Sequence, residues 1–483
     1  MKSTTNFGRN IRFTPRHRYK PRTEDEVLRL LNEHGDGTVR VVGARHSWNP
    51  GIETPDALVD LRHFRHVRVH GSRTRVTVGG GCRIGALLKL LTRRGLTLPS
   101  IGLIDRQTVA GAVATGTHGS GRHSMSHYVE AMRIACYGAN GKARVLTVDS
   151  GPMLRAARCS VGALGVVLEV TLACVPQYYV RERCAWRPGL DAALEKEGDA
   201  PLQQFYLMPH AWRYLAQERR VAEENRRRGG AALYRAYWLI TIDVRLHVLL
   251  KFSASLLRSR RLVHFVFRRI LPLFIFPRWR VTDRSDRQLR MRHDLFRHLE
   301  MEVFVPRGQL ASALDFVREI LKAADDRGHA LSPETRSRIE SLGAVAGLDA
   351  LRGSYVHHYP ICVRRVRPDD TLISMASCDG LPARDWYAIS LITLTRPYAR
   401  FERVAAFLAD AMSPLFGARL HWGKWFPPDG VEVEDRYPGV SEFRRVCEAC
   451  DPRGVFRNAF VREVLFGSER SGSALKDGGS IPG

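Results

Sequence analysis

The first residues of this sequence that could carry chemistry lie at 41–48, where a His and a Ser follow two small residues. Gly43 and Ala44 precede Arg45, His46 and Ser47 at the end of a short apolar run. Small residues let the backbone approach a ligand closely, so that amide N–H groups can point at a phosphate. The same pattern is typical of an ordinary strand-to-loop turn with a surface His, so this segment alone leaves both interpretations open.

A longer segment, residues 108–121, consists almost entirely of small side chains. It has neither the Lys-Ser or Lys-Thr pair of a Walker loop nor the glycine spacing of a dinucleotide turn. The interleaved Val109, Val113, Thr115 and Thr117 argue against a flexible linker and predict a fixed, extended backbone. Such a backbone favours amide contacts to a large flat or anionic ligand.

A third segment, residues 160–172, again leads from a small-residue turn into a strand rich in Val. Amide groups at the start of such a strand can also face a phosphate. Three loops of this kind within one domain predict a single extended dinucleotide that lies across all of them.

The elements that must position these loops are short strands and a few helices. Residues 23–26 form a capping box, which predicts the start of a helix, and Asn140-Gly141 between two apolar runs is a strong hairpin signal. We predict strands at 38–42, 57–61, 75–78, 132–137, 143–148 and 166–174, and a helix at 84–91. This pattern indicates an α+β domain.

Changes in composition divide the chain into four predicted parts. Pro176 follows the last of these strands, and Ser413-Pro414 with Gly417 marks a second break. The region between has longer helical patterns and more aromatic residues, and the tail is rich in Gly and Ser, as disordered segments are. We predict domains at 1–176 and 177–415, a C-terminal segment at 416–467 and a disordered tail at 468–483.

Charge and composition argue against several classes of protein. The chain of 483 residues carries 75 Lys and Arg against 49 Asp and Glu, a net charge of +26. The Arg residues are scattered along the chain rather than gathered in one stripe, which argues against nucleic-acid binding. No apolar signal region and no run of ~18 apolar residues is present, and nine cysteines without framework spacing indicate reduced thiols. We expect a cytoplasmic protein with neither a nucleic-acid partner nor a bound metal.

Residues 244–280 form a basic and apolar stretch with two possible roles. Its apolar residues alternate with cations such as Lys251, Arg258, Arg261 and Arg269. It is too charged to span a bilayer, but a basic amphipathic helix can lie on one. The alternative is a set of helices that pack on their own sheet.

Together, the three loops resemble, in order and spacing, the FAD-binding domain of the vanillyl-alcohol-oxidase superfamily, the p-cresol-methylhydroxylase (PCMH) type. The likeness continues through Tyr-Pro-Ile-Cys-Val-Arg at 359–364, His-Trp-Gly-Lys at 421–424 and residues 451–458, so it covers most of 20–467. The second of these motifs is specific to the sugar-1,4-lactone oxidase branch, which includes the L-gulonolactone, D-arabinono-1,4-lactone and alditol oxidases. The resemblance implies an α+β protein in which a two-subdomain PCMH-type FAD-binding domain carries an α+β cap domain for the substrate.

The resemblance also assigns residues to the cofactor. It implies a covalent bond between His46 and the flavin, because relatives with another residue at this position bind FAD without that bond. Thr108 matches a hydroxyl position near the flavin ring, and Lys424 matches a cation near it. The other implied FAD contacts are Gly43, Ala44, Arg45, Ser47, Trp48, Gly111, Ala112, Thr115, His118, Gly119, Gly162, Gly165 and Val166.

The implied reaction is the oxidation of a CH–OH group in a sugar lactone, a polyol or a related secondary alcohol. Hydride passes to the flavin N5, and dioxygen or another electron carrier reoxidises the flavin. Lys424 and Arg364 are the implied catalytic cations, since negative charge develops during the transfer. One departure is Cys362, which stands where the family usually carries a Glu two residues before this Arg. A thiol is a weaker base than a carboxylate at neutral pH, so another group becomes a candidate for its role. The candidates are His421, Glu302, His357 and His358, of which the last two could instead be surface residues at a strand end.

Two alternatives remain open from the sequence. One is an FAD-dependent reductase of the same fold, similar to the sterol reductases, although these bind FAD without the covalent bond that His46 implies. The other is a basic, membrane-associated protein without enzymatic activity, which predicts no bound flavin. We expect the protein to lie in the cytoplasm, with a peripheral position at the inner membrane surface if residues 244–280 contact lipid.

Overall fold

A computed structural model describes residues 3–291, 296–378, 380–394, 398–428 and 433–467. The tail predicted to be disordered, 468–483, lies outside these residues. In chain order the strands are β1 (Thr4–Thr5), β2 (Arg12–Phe13), β3 (His17–Tyr19), β4 (Val39–Val42), β5 (Ala57–Asp60), β6 (Val67–Val69), β7 (Arg75–Gly79), β8 (Leu96–Thr97), β9 (Val129–Tyr137), β10 (Ala143–Val148), β11 (Val166–Ala173), β12 (Val175–Pro176), β13 (Tyr179–Arg187), β14 (Gln204–Met208), β15 (Arg213–Val221), β16 (Arg280–Arg284), β17 (His298–Pro306), β18 (Ile361–Val366), β19 (Trp386–Leu394) and β20 (Arg419–Leu420).

The helices are distributed along the whole described chain. They are α1 (Glu24–Glu33), α2 (Ile84–Arg93), α3 (Val109–Ala114), α4 (Gly151–Ala157), α5 (Leu190–Leu194), α6 (Ala231–Trp238), α7 (His247–Leu250), α8 (Arg260–Phe265), α9 (Ser285–Gln288), α10 (Leu310–Asp325), α11 (Pro333–Ser341), α12 (Val345–Leu351), α13 (Ala399–Phe416), α14 (Val433–Arg436), α15 (Val440–Cys450) and α16 (Ala459–Val461). Wider turns of the π type continue four of them, at Leu239–Leu246, Lys251–Leu256, Val266–Ile270 and Arg462–Phe466.

Two larger sheets and two two-stranded ones, β1-β2 and β12-β8, form the N-terminal part of the molecule. β3, β5 and β4 make a parallel sheet, and β10, β9, β11, β7 and β6 make an antiparallel one. Thr23 caps α1 by accepting a hydrogen bond from the backbone N–H of Glu26, as the capping box predicts. β9 and β10 form the predicted hairpin, in which Gly141 takes a φ of +71°. The strands and the two helices predicted for this region are confirmed, although β9 begins earlier than predicted.

An eight-stranded antiparallel sheet, in the order β16-β13-β15-β14-β18-β19-β17-β20, makes up the second part of the molecule. Every residue of β17 is buried, because both faces of this strand are covered. One face packs against α10 and α13. Successive side chains on a strand point to opposite faces, so the other face of β17 carries Glu300 and Glu302 together. The chain is therefore α+β, as predicted.

The C-terminal residues return to the N-terminal sheets. The backbone N–H of Val39 donates to the carbonyl of Val455 at 2.9 Å, and α15 packs against α4. Arg40 is buried and donates to the carbonyls of Gly51, Val161 and Phe456. One side chain thus joins three segments that are distant in the sequence.

The chain does not break at Ser413-Pro414, because both residues lie inside α13. Gly417 ends this helix with a φ of +61°, a conformation that favours glycine. β20 follows at once and pairs with β17 at the edge of the large sheet. The domain boundaries near 176 and 415 stay predictions, and the second falls within the last turn of α13.

The extended backbone predicted for the segment 108–121 is wrong for residues 109–114, which form α3. Thr108 caps this helix by accepting a hydrogen bond from the N–H of Gly111. Val109, Ala112 and Val113 are buried on its inner side. Small residues allow the short helix to pack closely, and this packing outweighs the strand preference of the two Val residues.

Residues 231–276, called the insert below, form short helices and wide turns that cover the sheet beside β14 and β15. Leu246, Leu250 and Phe267 of the insert pack with Tyr206 and Leu215 of the sheet. One of the two roles predicted for residues 244–280, packing on the sheet of the same domain, is therefore present on the face of the insert that contacts β14 and β15. Within the described residues, none of the helices combines the length and the apolar character that a bilayer crossing requires.

Candidate active site

A cavity of about 700 Å³ lies between the N-terminal sheets and the large sheet. The three small-residue loops line one end of it, and β14, β17, β18 and the insert line the other. The predicted site residues that line it are Gly43, Ala44, Arg45, His46, Ser47, Trp48, Thr108, Gly111, Thr115, His118, Gly162, Gly165, Glu302, Cys362, Arg364, His421 and Lys424. Residues from six separate regions of the sequence therefore meet at one site.

Three predicted cofactor residues do not line the cavity. Ala112 and Val166 are fully buried in the packing behind it. Gly119 lies against the backbone of Ile101, whose carbonyl oxygen would be only 2.7 Å from an added Cβ. These residues hold the loops in place rather than face the cavity.

A glycine pair to which the sequence analysis assigned no role in the site, Gly80 and Gly81, also faces the cavity. An added Cβ at Gly80 would lie 2.2 Å from the carbonyl oxygen of Val167, and at Gly81 1.9 Å from that of Leu61. Neither position accepts a side chain, so the backbone is exposed to the cavity there. The three consecutive glycines at 79–81 were the signal that could have identified this fourth loop.

His46 lies in the first loop with its ring stacked on Phe7, the two centroids 4.6 Å apart. Burial, followed by the charges of Arg83, Arg106 and Lys424, lowers the pKa of His46 to about 4. Its Nδ1 is buried and has no hydrogen-bond partner among the described residues. The imidazole is therefore neutral at pH 7, and one ring nitrogen is unengaged.

Lys424 is held between a carboxylate and an aromatic ring. Its Nζ donates to Glu300 of β17 and lies 4.7 Å from the ring centroid of Trp48. The backbone N–H of Trp48 donates to the carbonyl of Gly423 at 3.1 Å. The first loop and the His-Trp-Gly-Lys segment are thus bonded directly, and together they orient the cation in the cavity.

Glu302 is the centre of a buried ion-pair network. Its Oε1 accepts hydrogen bonds from Nη2 of Arg364 and, at 2.8 Å, from Oγ of Ser390. Its Oε2 has no hydrogen-bond partner among the described residues and lies 4.0 Å from Nζ of Lys424. Burial raises the pKa of Glu302, but Arg364, His118 and Lys424 outweigh burial and hold that pKa well below its usual range. Glu302 is therefore a carboxylate at neutral pH.

Two histidines flank this carboxylate with opposite hydrogen-bond polarity. Nδ1 of His118 faces the carbonyl oxygen of Gly119 at 3.0 Å, so it must carry the proton. Nδ1 of His421 accepts from the backbone N–H of Gly423 at 2.9 Å, so the proton of this ring is on Nε2. Hydrogen-bond geometry thus leaves Nε2 of His118 with a lone pair and Nε2 of His421 with an N–H group.

His118, Glu302 and His421 also have the residue types of a metal site, with their ligand atoms within 4.8 Å of one another. Lys424 and Arg364 lie against the same carboxylate. Two fixed positive charges disfavour a further cation at this position. The group is better suited to hold and move a proton.

The end of the cavity away from the loops is mainly apolar. Cys362 lies there in a buried cluster with Tyr206 and Met208. Burial raises the pKa of the Cys362 thiol to about 11, so it is protonated at pH 7. The insert and the neighbouring strands supply further lining residues that the sequence analysis did not assign to the site: Leu215, Trp238, Ile242, Asp243, Leu246, His247, Leu271, Ile275, Met291, Phe296 and Ile392.

Glu300 was a second missed residue, although the sequence carried a signal for it. Glu300 and Glu302 are two residues apart in an otherwise apolar run, which places both on one face of a strand. His357 and His358, considered as an alternative base or as surface residues, are neither: both are buried, and neither lines the cavity. His357 instead accepts through its carbonyl from His210 at 2.7 Å.

Comparison with known proteins gives two family matches. Residues 15–147 match an FAD binding domain, and residues 170–464 match D-arabinono-1,4-lactone oxidase. The chain is 48% identical over 465 residues to a long-chain alcohol oxidase from an uncultured marine euryarchaeote, with 95% of this chain and 96% of that protein covered. It is 24% identical to the L-gulonolactone oxidase of Mus musculus over 480 residues, 95% and 98% of the two chains. It is 26% identical to an alditol oxidase of a Streptomyces species over 475 residues, 96% and 99% of the two chains.

Among solved structures, the fold is similar to that of cholesterol oxidase from B. sterolicum. The TM-score is 0.73 over 96% of both chains, at 16% sequence identity. This likeness concerns the fold, and it confirms the predicted combination of a PCMH-type FAD-binding domain with an α+β cap.

The fold and the cavity between its two parts define an FAD-dependent oxidoreductase that acts on CH–OH donors. The reductase and the non-enzymatic alternatives are not favoured, because the relatives above are alcohol and lactone oxidases. The chain belongs to the D-arabinono-1,4-lactone oxidase family, whose match extends over more than half of its length. Its substrate is a small alcohol or lactone, and dioxygen or another acceptor reoxidises the flavin.

The residues present fit FAD. Gly80, Gly81 and Gly165 expose backbone where no Cβ has room, which lets amide groups approach a pyrophosphate. The buried, unpartnered Nδ1 of His46 marks a position that a bound group completes. Bound FAD supplies the two-electron acceptor for the C–H bond of the alcohol. The loops would hold this cofactor, and Lys424, Arg364 and Glu302, which line the same cavity, would then lie beside a bound substrate.

Proposed function

We propose that this protein oxidises long-chain aliphatic alcohols to aldehydes with dioxygen as the electron acceptor. The observation that carries the proposal is the apolar arm of the cavity, which begins at Cys362 and continues between β14 and the insert. Apart from Asp243 and His247 of the insert, this wall has few polar groups that could hydrogen-bond the hydroxyls of a sugar lactone or polyol, whereas burial of an alkyl chain is favourable.

Two further observations support this substrate class. The long-chain alcohol oxidase relative is far more similar to this chain than the gulonolactone or alditol oxidases are. Cys362 stands where lactone and alditol oxidases usually carry a Glu. A thiol protonated at neutral pH suits an apolar chain better than a carboxylate that would seek hydroxyl groups.

We expect kcat/KM to rise steeply with the chain length of a linear primary alcohol. Each buried methylene contributes about 0.8 kcal/mol, or roughly 4-fold in kcat/KM. The increase should continue until the apolar arm is filled and then stop. Initial rates of peroxide release with the alcohols from ethanol to hexadecanol measure this dependence.

L-Gulono-1,4-lactone and xylitol provide the comparison in the same assay. The proposal requires both to be poorer substrates than decanol by at least ~10²-fold, since their hydroxyl groups would be desolvated without partners. A higher kcat/KM for the lactone or the polyol, or a flat chain-length series, would contradict it.

We also propose that FAD is attached covalently through a ring nitrogen of His46. Support comes from the neutral imidazole and its unengaged Nδ1. The stacking on Phe7 holds the ring in one orientation, which favours bond formation by a neutral imidazole. The experiment that tests this attachment opens the Discussion.

We further propose that the protein associates peripherally with the cytoplasmic face of a membrane through the insert. Of the eleven exposed large hydrophobic residues in the described chain, nine lie on the insert: Leu233, Ile240, Val248, Phe252, Leu256, Leu257, Phe265, Leu273 and Phe276. Lys251, Arg258 and Arg269 lie among them, a combination that suits an anionic lipid surface. Long-chain alcohols partition into such membranes, so the location agrees with the substrate class.

The double variant L256E/L273E should bind anionic vesicles at least ~10-fold more weakly than wild type. These side chains are 71% and 75% exposed, and burying two Leu side chains in lipid contributes roughly 3–6 kcal/mol. Co-sedimentation with vesicles that contain phosphatidylglycerol measures the binding. V345E is the matched control, because Val345 is 45% exposed and lies outside the insert. Equal binding by wild type and the double variant would remove the insert from any membrane contact.

A further inference from the structure

Oxidation of an alcohol releases the hydroxyl proton, and the site must supply a group that takes it. The position at which related lactone oxidases carry a Glu holds Cys362, whose pKa of about 11 keeps it a thiol. The proton acceptor must therefore be another group that lines the cavity. Its identity follows from the hydrogen bonds that each candidate already makes.

Two candidates, Lys424 and His421, are excluded by their existing partners. Lys424 is a donor only, and it is paired with Glu300. His421 uses its Nδ1 lone pair to accept from the N–H of Gly423, and its other nitrogen carries a proton. Neither side chain offers a lone pair to a substrate hydroxyl.

His118 has the opposite arrangement. Its Nδ1–H is fixed by the carbonyl of Gly119, so Nε2 carries the lone pair. This Nε2 is buried, has no hydrogen-bond partner among the described residues, and lies 3.4 Å from Oε1 of Glu302. A lone pair and a carboxylate oxygen that face each other repel, and a proton taken up by the nitrogen turns this repulsion into attraction.

Glu302 keeps its negative charge while it faces this nitrogen. Arg364 and Ser390 donate to its Oε1, and its pKa is held well below the usual range. A proton that enters the pair therefore resides on the imidazole, and the carboxylate stabilises the cation. Unlike the Asp of a hydrolytic triad, which contacts the other ring nitrogen, Glu302 lies beside the same nitrogen that takes the proton.

We propose that Nε2 of His118 is the catalytic base that accepts the hydroxyl proton of the alcohol, and that Glu302 stabilises the imidazolium. The O–H bond of the substrate breaks and an N–H bond forms on His118. The C–H bond gives its hydrogen and two electrons in the established oxidation, which leaves the carbonyl product. The imidazolium returns its proton to water after the product leaves.

The charges around His118 determine the pH at which it can act. Burial lowers its pKa, and Arg364 lowers it further, while Glu302 and the carbonyl of Gly119 act in the opposite direction. His421 and Lys424, from the segment after β20, also face this group. The net pKa is below the usual 6.5, so His118 is neutral at pH 7 and activity should be lost only as the pH falls through this lowered value.

His118→Asn tests the assignment with minimal disturbance. The Asn amide can still donate to the carbonyl of Gly119, but no atom replaces Nε2. We expect kcat/KM to fall by ~10² to 10⁴-fold, and the acid limb of its pH profile to disappear. His421→Asn is the matched control, because an Asn oxygen can accept from the N–H of Gly423; it should retain the acid limb. A His118→Asn enzyme that keeps the acid limb would overturn the proposal.

A binding measurement gives a readout that does not require turnover. Decanoate places a carboxylate where the reacting oxygen lies, and this negative charge should draw a proton onto His118. Calorimetry in phosphate and in Tris at pH 7.5 should show net proton uptake by wild type and none by His118→Asn. Uptake that is unchanged in the variant would assign the proton to another group.

Glu302→Gln gives an independent result even if His118→Asn folds poorly. Loss of the carboxylate removes the interaction that raises the pKa of His118, so the acid limb should move to lower pH. A limb that stays in place or moves to higher pH would contradict the pairing. The inference rests on the oxidation of a CH–OH group and not on chain length, so any alcohol that wild type oxidises serves in the rate assays. Weak decanoate binding by wild type would instead count against the long-chain substrate.

Discussion

Replacing His46 with alanine should leave the denatured polypeptide without flavin fluorescence, whereas the wild-type band on a denaturing gel should remain fluorescent. The effect is all or none, because a covalent bond survives unfolding and packing contacts do not. The neutral ring and the unengaged Nδ1 of His46 are the features that allow the bond to form. FAD can still bind the variant without covalent attachment, since the other loops retain their exposed backbone.

Ser47→Ala is the matched control for this experiment, because it changes the next residue of the same loop and leaves the imidazole intact. It should keep the fluorescent band. Release of all flavin from the wild-type protein by acid precipitation would contradict covalent attachment. The oxidation itself would not be affected by that outcome, because noncovalent FAD carries the same chemistry.

Replacing Cys362 with glutamate should lower kcat/KM for long-chain alcohols by at least ~10²-fold. The new carboxylate would be buried in the apolar arm near Glu302 and Glu300. The nearby cations Arg364 and Lys424 are already paired with these two carboxylates. Burying an unpaired charge costs several kcal/mol, and each 1.4 kcal/mol corresponds to tenfold in rate. Initial rates of decanol oxidation by wild type and variant measure this decrease in kcat/KM.

Cys362→Val controls for the loss of the thiol itself. It keeps the position apolar at a similar volume, so activity on decanol should remain within a few-fold of wild type. If Cys362→Glu instead remains active on decanol, or gains activity on L-gulono-1,4-lactone or xylitol, the apolar arm does not determine the substrate class. That result would show that a single residue separates this chain from the lactone and alditol oxidases.

The N-terminal elements were accessible from the sequence because their signals are local. Thr23 and Glu26 form a cap within one turn, and Asn140-Gly141 sits between two apolar runs. The helix α3 was missed because Val109, Gly111 and Val113 weaken its local helical signal, and the packing of the two Val residues decides their conformation. The break expected at Pro414 failed for a related reason: Pro is tolerated near a helix end when the surrounding residues pack, and Gly417 ends the helix instead.

The site residues also fall into two groups: those that sequence motifs identify and those that only tertiary contacts reveal. Loop motifs and the His-Trp-Gly-Lys segment identify residues by type, so His46 and Lys424 could be named in advance. Glu300 and Ser390 were not named, because each contributes through a partner that is distant in the sequence. The role of the insert in lining the cavity could not be predicted either, since a basic and apolar stretch has the same composition whether it lines a cavity or faces lipid.

The sequence by itself determined the α+β class, the three small-residue loops, the FAD cofactor and the oxidation of a CH–OH group, because short motifs carry that information. Only the tertiary structure decided which atoms are available for chemistry. Nε2 of His118 has a lone pair because the carbonyl of Gly119 fixes the other ring nitrogen, and Glu302 stays charged because folding brings Arg364, His118 and Lys424 close to it. Hydrogen-bond polarity and burial depend on partners brought together by folding, and no spacing along the chain encodes them directly.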